Sequence, residues 1–302
     1  MTAQDATANE RDGMDSATAR WLEMFFRFFA APSPERYRPL FHPEGSLQDA
    51  GMAEPLPAAQ TGAAIAMVLA KLPDLLIRPL RHAARGSHVF VEARNSGTLN
   101  GKALDWGAVY RVHLKDGLVH RGRRFYDQVE LFGPILPAGA ALPAFPAAED
   151  AAPPEAALPV GDGAEALARR LEAAWNDADP SALAALYAPA GSHMAPGLAA
   201  PVARRQLAAW RRWWADLLAP GPMRPVDWAM AAGTGTNPTL LFLEWQGQGR
   251  YLGSDVPLDR IDRYLLDGAG RILESRSYFD TLGLVERANP DVAAIRAAVI
   301  KG

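Results

Sequence analysis

Residues 40–56 read LFHPEGSLQDAGMAEPL, and residues 186–202 read LYAPAGSHMAPGLAAPV. Laid together without a gap, the stretches agree at Leu40/Leu186, Pro43/Pro189, Gly45/Gly191, Ser46/Ser192, Gly51/Gly197, Ala53/Ala199 and Pro55/Pro201. The ionisable positions do not agree: Glu44 faces Ala190, Leu47 faces His193 and Asp49 faces Ala195. A framework written twice with altered chemistry is the mark of an internal repeat. The same offset of 146 residues carries Trp21, Phe25, Phe28 and Phe29, which recur at helical spacing, onto Leu167, Leu171, Ala174 and Trp175.

Working outward, each half repeats one order of elements. Ser33-Pro34 and Asp179-Pro180 set an N-cap acceptor before a proline, so a second helix is expected to start there in each copy. A third amphipathic segment follows at about 58–72 and about 202–218. Each half then turns β-like, with HVFVEARNSGTLNG, LDWGAVYRVHL and LVHRGRRFYDQVEL matched by TLLFLEWQGQGRYLG, VPLDRIDRYLL and RILESRSYFDTLGL. Asp-Gly between the last two runs signals a hairpin. The expected fold is α+β: helices packed on an antiparallel sheet, made twice. The Pro/Ala-rich run 134–162 reads as a semi-extended linker between domains at 18–133 and 163–287, with a disordered tail at 1–17 and a C-terminal helix or tail at 288–302.

Composition narrows the function. The 302 residues are 49% hydrophobic and 22% charged, which suits a globular protein with a sizeable core in each half. A net charge of −3 without a Lys/Arg block gives no footprint for nucleic acid or an anionic membrane. No cysteine occurs, which excludes thiolate catalysis and disulfides. The polar, acidic N-terminal stretch has no signal-peptide or membrane-span pattern, so the expected compartment is the cytoplasm. No P-loop, no strand-led GxGxxG and no GxSxG is present, and the six histidines show no paired metal-ligand spacing. Neither a cofactor nor a metal is expected.

The order of elements, the L-[FY]-x-P-x-G-S block and the closing Phe125-Tyr126-Asp127 and Tyr278-Phe279-Asp280 resemble the SnoaL-like members of the nuclear transport factor 2-like superfamily. The resemblance implies two cone-shaped α+β barrels in one chain, each with N-terminal helices on a curved antiparallel sheet around an apolar pocket. It also implies an intramolecular pseudo-dimer through the sheets, with further homo-oligomerisation left open. The superfamily hosts isomerases, dehydratases, polyketide cyclases, epoxide hydrolases and binding modules, so the chemistry rests on particular residues.

The stretch around Asp49 is similar to the segment that carries the general-base aspartate of ketosteroid isomerases, and Asp49 takes that place. The oxyanion partners of those enzymes would fall at Phe25 and Arg111. In the second half Asp262 takes the place of their hydrogen-bonding aspartic acid, while the base position is Ala195. Asp127 and Asp280 match a strand-ending aspartate that is catalytic in the epoxide hydrolases, with Arg94 matching an arginine of those enzymes and Ser96 standing where they carry an aspartate. The repeated block reads as a Gly-bounded loop leaving the helices, and the alternative reading of each residue is structural: a turn cap for Asp49, a strand-end clamp for Asp127 and Asp280.

His193, inside the repeated block, is either a base in an apolar cone or, as the favoured reading, an exposed loop histidine. With Asp49 as base, Asp127 or the neighbouring Tyr126 would be the orienting or acid group. Phe25, Trp106, Tyr110, Trp245 and Tyr278 are candidates for lining a substrate cavity, against the ordinary role of strand and helix aromatics as core. Alternation in YRVHL sets Tyr110 and Val112 on one sheet face and Arg111 and His113 on the other. Glu92 and Glu244, at equivalent strand positions, suit a structural role. The first function expected is a cofactor-independent acid–base enzyme, an isomerase, dehydratase or cyclase, acting on a small apolar or polycyclic carbonyl compound. The alternatives are a non-catalytic small-molecule or protein-assembly module and, third, an epoxide hydrolase.

Overall fold

The computed structural model describes residues 14–133, 136, 141–148, 150, 153–156, 163–235, 237–289 and 291–292. Residues 1–13 of the tail expected over 1–17, and much of the expected linker and C-terminal segment, lie outside these. The chain divides into two compact units, 1–135 and 136–302.

In the first unit α1 spans Ser16–Ala30, starting within the expected tail. Asp15 caps it, accepting from the Thr18 N–H at 2.8 Å and from the Thr18 hydroxyl at 3.1 Å. Its apolar stripe buries Trp21, Leu22, Phe25, Phe28 and Phe29. Ser33 caps α2 (Pro34–Tyr37), with Pro34 in the first turn as its sequence predicts. The repeated block then departs from expectation. It is no loop leaving the helices: Phe41–Gln48 is a strand, β1. After β2 (Leu56–Pro57) and α3 (Ala58–Lys71) come β3 (Leu76–Arg85), β4 (His88–Leu99), β5 (Lys102–Lys115), β6 (Leu118–Phe125) and the short α4 (Gln128–Phe132). The sheet order is β2-β1-β6-β5-β4-β3, with β1 parallel to β6 and the other neighbours antiparallel. The sheet is therefore mixed rather than antiparallel throughout, and open rather than a closed barrel.

The glycine of the repeated block explains why that block is written twice. Gly45 sits where the β1–β6 register shifts, and a Cβ there would run into the Val119 carbonyl oxygen. Its counterpart Gly191 brings the same atom within 2.6 Å of the Ile272 carbonyl oxygen. Only glycine permits the two backbones to approach so closely. The β5–β6 turn uses Asp116 and Gly117 at φ of 53° and 73°, the left-handed pair that a two-residue hairpin requires.

The second unit repeats the plan. α5 (Ala164–Asn176), α6 (Ser181–Ala185), β7 (Tyr187–Met194), β8 (Val202–Ala203) and α7 (Leu207–Leu218) precede β9 (Arg224–Ala231) and β10 (Thr239–Gln246). A two-stranded ribbon, β11 (Gln248–Tyr251) and β12 (Ser254–Pro257), leads to β13 (Arg260–Leu266), β14 (Ile272–Tyr278) and α8 (Thr281–Ala288). The order β8-β7-β14-β13-β10-β9 matches the first unit position for position, and β7 again runs parallel to β14. Two local expectations shift. α6 starts at Ser181, where the Asp179 carboxylate accepts its N–H at 2.9 Å. α7 starts at Leu207, because residues 202–203 are spent pairing with β7.

Alternation along the strands turns one face of each sheet to the helices. In the first unit Leu47, Val91, Ala93, Trp106, Ala108, Tyr110 and Val112 join Trp21, Phe25, Phe28 and Phe29 in one core. Among the described residues no helix is long and apolar enough to cross a membrane.

Candidate functional site

Asp49 directly follows β1 and continues the inward alternation of Leu47. Its side chain is 13% exposed, and both carboxylate oxygens are held by Arg124 of β6. Arg124 Nε donates to Oδ1 at 2.9 Å and Nη2 donates to Oδ2, while the Ala50 N–H donates to Oδ1 at 3.0 Å. Such a fork-to-fork pair is strong and fixed in orientation. Parallel pairing of β1 with β6 brings the two residues together across 75 positions of sequence.

Above this pair stand aromatic rings. Arg124 lies opposite Tyr110 in the β5–β6 register, with its guanidinium carbon 5.9 Å from the Tyr110 ring and 5.4 Å from that of Tyr126. Phe25 and Phe29 each pack 5.3 Å from the Tyr110 ring, and Phe28 packs 4.6 Å from Tyr37. The Tyr110 hydroxyl donates to Asn95 Oδ1 at 3.3 Å, and Asn95 Nδ2 donates to the Trp106 carbonyl oxygen at 3.4 Å. Burial pushes the Tyr37 and Tyr110 hydroxyls above their ordinary pKa, although the Arg124 charge pulls the other way. Both phenols stay neutral donors. Burial opposes the charge of Arg124, but Asp49 and Tyr126 outweigh it and hold the guanidinium protonated.

The structure thus joins Asp49 to Phe25, Tyr110 and Tyr126, and adds Arg124, Tyr37 and Asn95, which sequence reasoning missed. Trp106 is buried at the Asn95 end of the same core. Asp127 caps α4, its carboxylate accepting from the Val129 N–H at 3.1 Å. The expected oxyanion position at Arg111 is corrected by register. Asp262 lies opposite Ser277 on the second sheet as Tyr110 lies opposite Arg124 on the first, so Tyr110 is the counterpart of Asp262. Arg94 turns to the outward face and pairs with Asp105 at 2.6 Å. Glu92 is buried in a 3.1 Å pair with Arg81 of the neighbouring strand.

In the second unit His193 is not an exposed loop residue. It lies on β7 with 1% of its surface exposed, its ring centroid 4.4 Å from that of Trp210. Its Nδ1 is 2.7 Å from the Ser275 hydroxyl, which is 2.6 Å from the Tyr187 hydroxyl. Burial, aided by the charges of Arg260 and Arg263, lowers its pKa to about 3, so the ring is neutral.

Asp262 is buried and fully engaged: Arg260 Nε lies 3.1 Å from Oδ1, Ser277 donates to Oδ1 at 2.6 Å and Tyr264 donates to Oδ2 at 2.9 Å. Trp175 Nε1 in turn donates to the Tyr264 hydroxyl at 3.2 Å. Trp245, opposite Arg260 in register, packs on this group, whereas Tyr278 lies on the other face of β14 beneath Arg276. Asp280 occupies the cap position of α8. The signal for Ser275 and Ser277 was their spacing of two, which puts both on the face of Asp262.

The element order of each unit agrees with the SnoaL-like, nuclear transport factor 2-like resemblance, and two like sheets fit a tandem arrangement. No protein-family model and no curated protein matches the chain. Among solved structures, the chain is similar to a protein described as a SnoaL-like polyketide cyclase from Jannaschia sp. CCS1, at 20% identity and a TM-score of 0.37 over 40% of this chain and 94% of that one. A protein of ketosteroid isomerase-like fold from Catenulispora acidiphila aligns at 14% identity and 0.36 over 38% and 92%. A protein described as an LEH-like epoxide hydrolase from M. tuberculosis aligns at 13% identity and a TM-score of 0.35 over 39% of this chain and 88% of that one. Each alignment spans about one unit's share of the chain, and at these identities none assigns an activity.

Proposed function

We propose that the first unit is a cofactor-independent acid–base site for a small, largely apolar carbonyl compound, working as an isomerase, dehydratase or polyketide cyclase. The observation that carries this reading is the partly buried Asp49–Arg124 pair, its guanidinium carbon 5.9 Å from the Tyr110 ring and 5.4 Å from the Tyr126 ring. A carboxylate is the base, and the Arg124 guanidinium receives the charge that develops on the carbonyl oxygen. In the resting site Arg124 occupies both Asp49 oxygens. When a carbonyl oxygen takes over one Arg124 N–H, one carboxylate oxygen is released just as the enolate needs a donor. Asp49 then takes the proton from the carbon next to the carbonyl and returns it elsewhere on the substrate. Tyr126 orients Arg124, and the rings of Phe25 and Phe29 hold the apolar body.

The same full engagement of Asp49 favours a second reading, a binding module in which the pair only anchors a ligand's oxygen. Asp49→Asn separates the two. Assayed on a panel of apolar ketones, at a temperature where both proteins are folded, the variant is expected to lose turnover by about 10²-fold or more while still binding the ketone. Equal turnover in the variant, or none in either protein despite binding, favours the module.

A further inference from the structure

The buried side chains of the second unit leave polar atoms unused. Among the described residues His193 Nε2, Arg260 Nη2, Trp210 Nε1 and Trp245 Nε1 are buried without a hydrogen-bond partner. Their residues are 1%, 3%, 2% and 0% exposed. Native proteins rarely leave such groups unsatisfied.

The four belong to one cluster. Arg260 stacks 3.9 Å from the Trp175 ring and 5.6 Å from the Trp245 ring. Trp175 meets Trp210 at 5.9 Å and Trp245 at 6.5 Å, and Trp210 meets His193 at 4.4 Å. Three of the atoms are obligate N–H donors, and His193 Nε2 can donate when Nδ1 accepts from Ser275. Charge points the same way. Arg211 lies 5.5 Å from the Trp175 ring and donates to the Trp175 carbonyl oxygen at 2.8 Å, so it adds a second guanidinium to a ring whose other one, Arg260, is already paired with Asp262.

We infer that the second unit holds a separate binding site for a small aromatic carboxylate, whose oxygens take the free N–H groups of Arg260, Trp210 and Trp245 and whose ring lies among the tryptophans. A carboxylate supplies the acceptor lone pairs that these donors lack, and a flat aromatic frame suits indole walls better than a hydrated inorganic anion. The site shares no residue with the Asp49 reading, so either can fail alone.

The test is calorimetric titration of the full chain with 2-naphthoate, with 2-naphthalenemethanol as its neutral analogue and inorganic phosphate as the non-aromatic anion. The naphthoate is expected to bind, with both controls at least about tenfold weaker, a difference of about 1.4 kcal/mol. Arg260→Gln strands Asp262 and endangers folding, so Trp210→Phe and Trp245→Phe carry the residue test. Each keeps the ring, deletes the N–H and is expected to weaken naphthoate several-fold, while Asp49→Asn leaves its binding unchanged. Absence of naphthoate binding, equal binding of the alcohol or of phosphate, indifference to both indole variants, or loss of binding in Asp49→Asn would each overturn the inference. The first of these outcomes leaves the donors to internal water.

Discussion

Asp49 and Ala195 hold the same place just past the end of two copies of one strand, and the difference shows what each copy has done with its interior. Where Asp49 is present, Arg124 stands opposite; where Ala195 replaces it, Ser277 stands at the position of Arg124, and the carboxylate appears instead at Asp262 with Arg260 beside it. Each interior keeps one carboxylate–guanidinium pair, moved from one strand to another. Arg124→Met leaves the Asp49 carboxylate partly buried and unpaired. It is expected to lower stability by about 3 kcal/mol in denaturant unfolding.

His193 gives a prediction in pH. Its pKa of about 3 in the folded chain lies below its ordinary value of 6.5, so between these values the unfolded chain binds the extra proton. Its contribution to stability is complete above about pH 6.5 and is lost as pH falls towards 3. His193→Gln is expected to flatten the acid limb of the second unit's stability by up to about 1.4 kcal/mol per pH unit, read from melts between pH 4 and 7.

At the scale of the element, the repeated block is decisive because its glycine allows a parallel strand to lie against the last strand of the sheet. Gly45→Ala sets a methyl group against the Val119 backbone, which cannot yield as a flexible side chain can. The expected cost is at least about 2 kcal/mol, and Gly191→Ala should behave alike in the second unit; a melting temperature unchanged in both would contradict the close approach. Asp127→Ala should cost only about 1 kcal/mol, the ordinary worth of an N-cap.

The helices, the Asp-Gly turn and the α+β order were legible because each depends on local periodicity or turn chemistry. The block itself read as a loop, since Pro, Gly and Ser normally punctuate, and the contact that makes it a strand lies 75 residues away in sequence. Arg124 was missed for that reason. Its inward alternation with Tyr126 was visible, but its partner was not. His193 was misread as exposed because a loop was assumed around it. Once the segment is a strand, His193 must alternate inward with the place of Leu47.

At the scale of the molecule, the repeat legible in residues 40–56 and 186–202 corresponds to two sheets of identical strand order. Duplication preserves what the backbone needs, the glycine and the apolar stripe of the first helix, and leaves the inward polar positions free to change. In the function proposed above, the first interior transfers protons; in the further inference, the second recognises an anion. The most direct measurement is solvent-deuterium uptake at the α-carbon of an apolar bicyclic ketone such as 2-tetralone, followed by NMR in D2O. With Asp49 as base, uptake is expected well above the buffer rate, abolished in folded Asp49→Asn and unchanged in His193→Gln. Uptake no faster than buffer, or equal in the Asp49 variant, would contradict it.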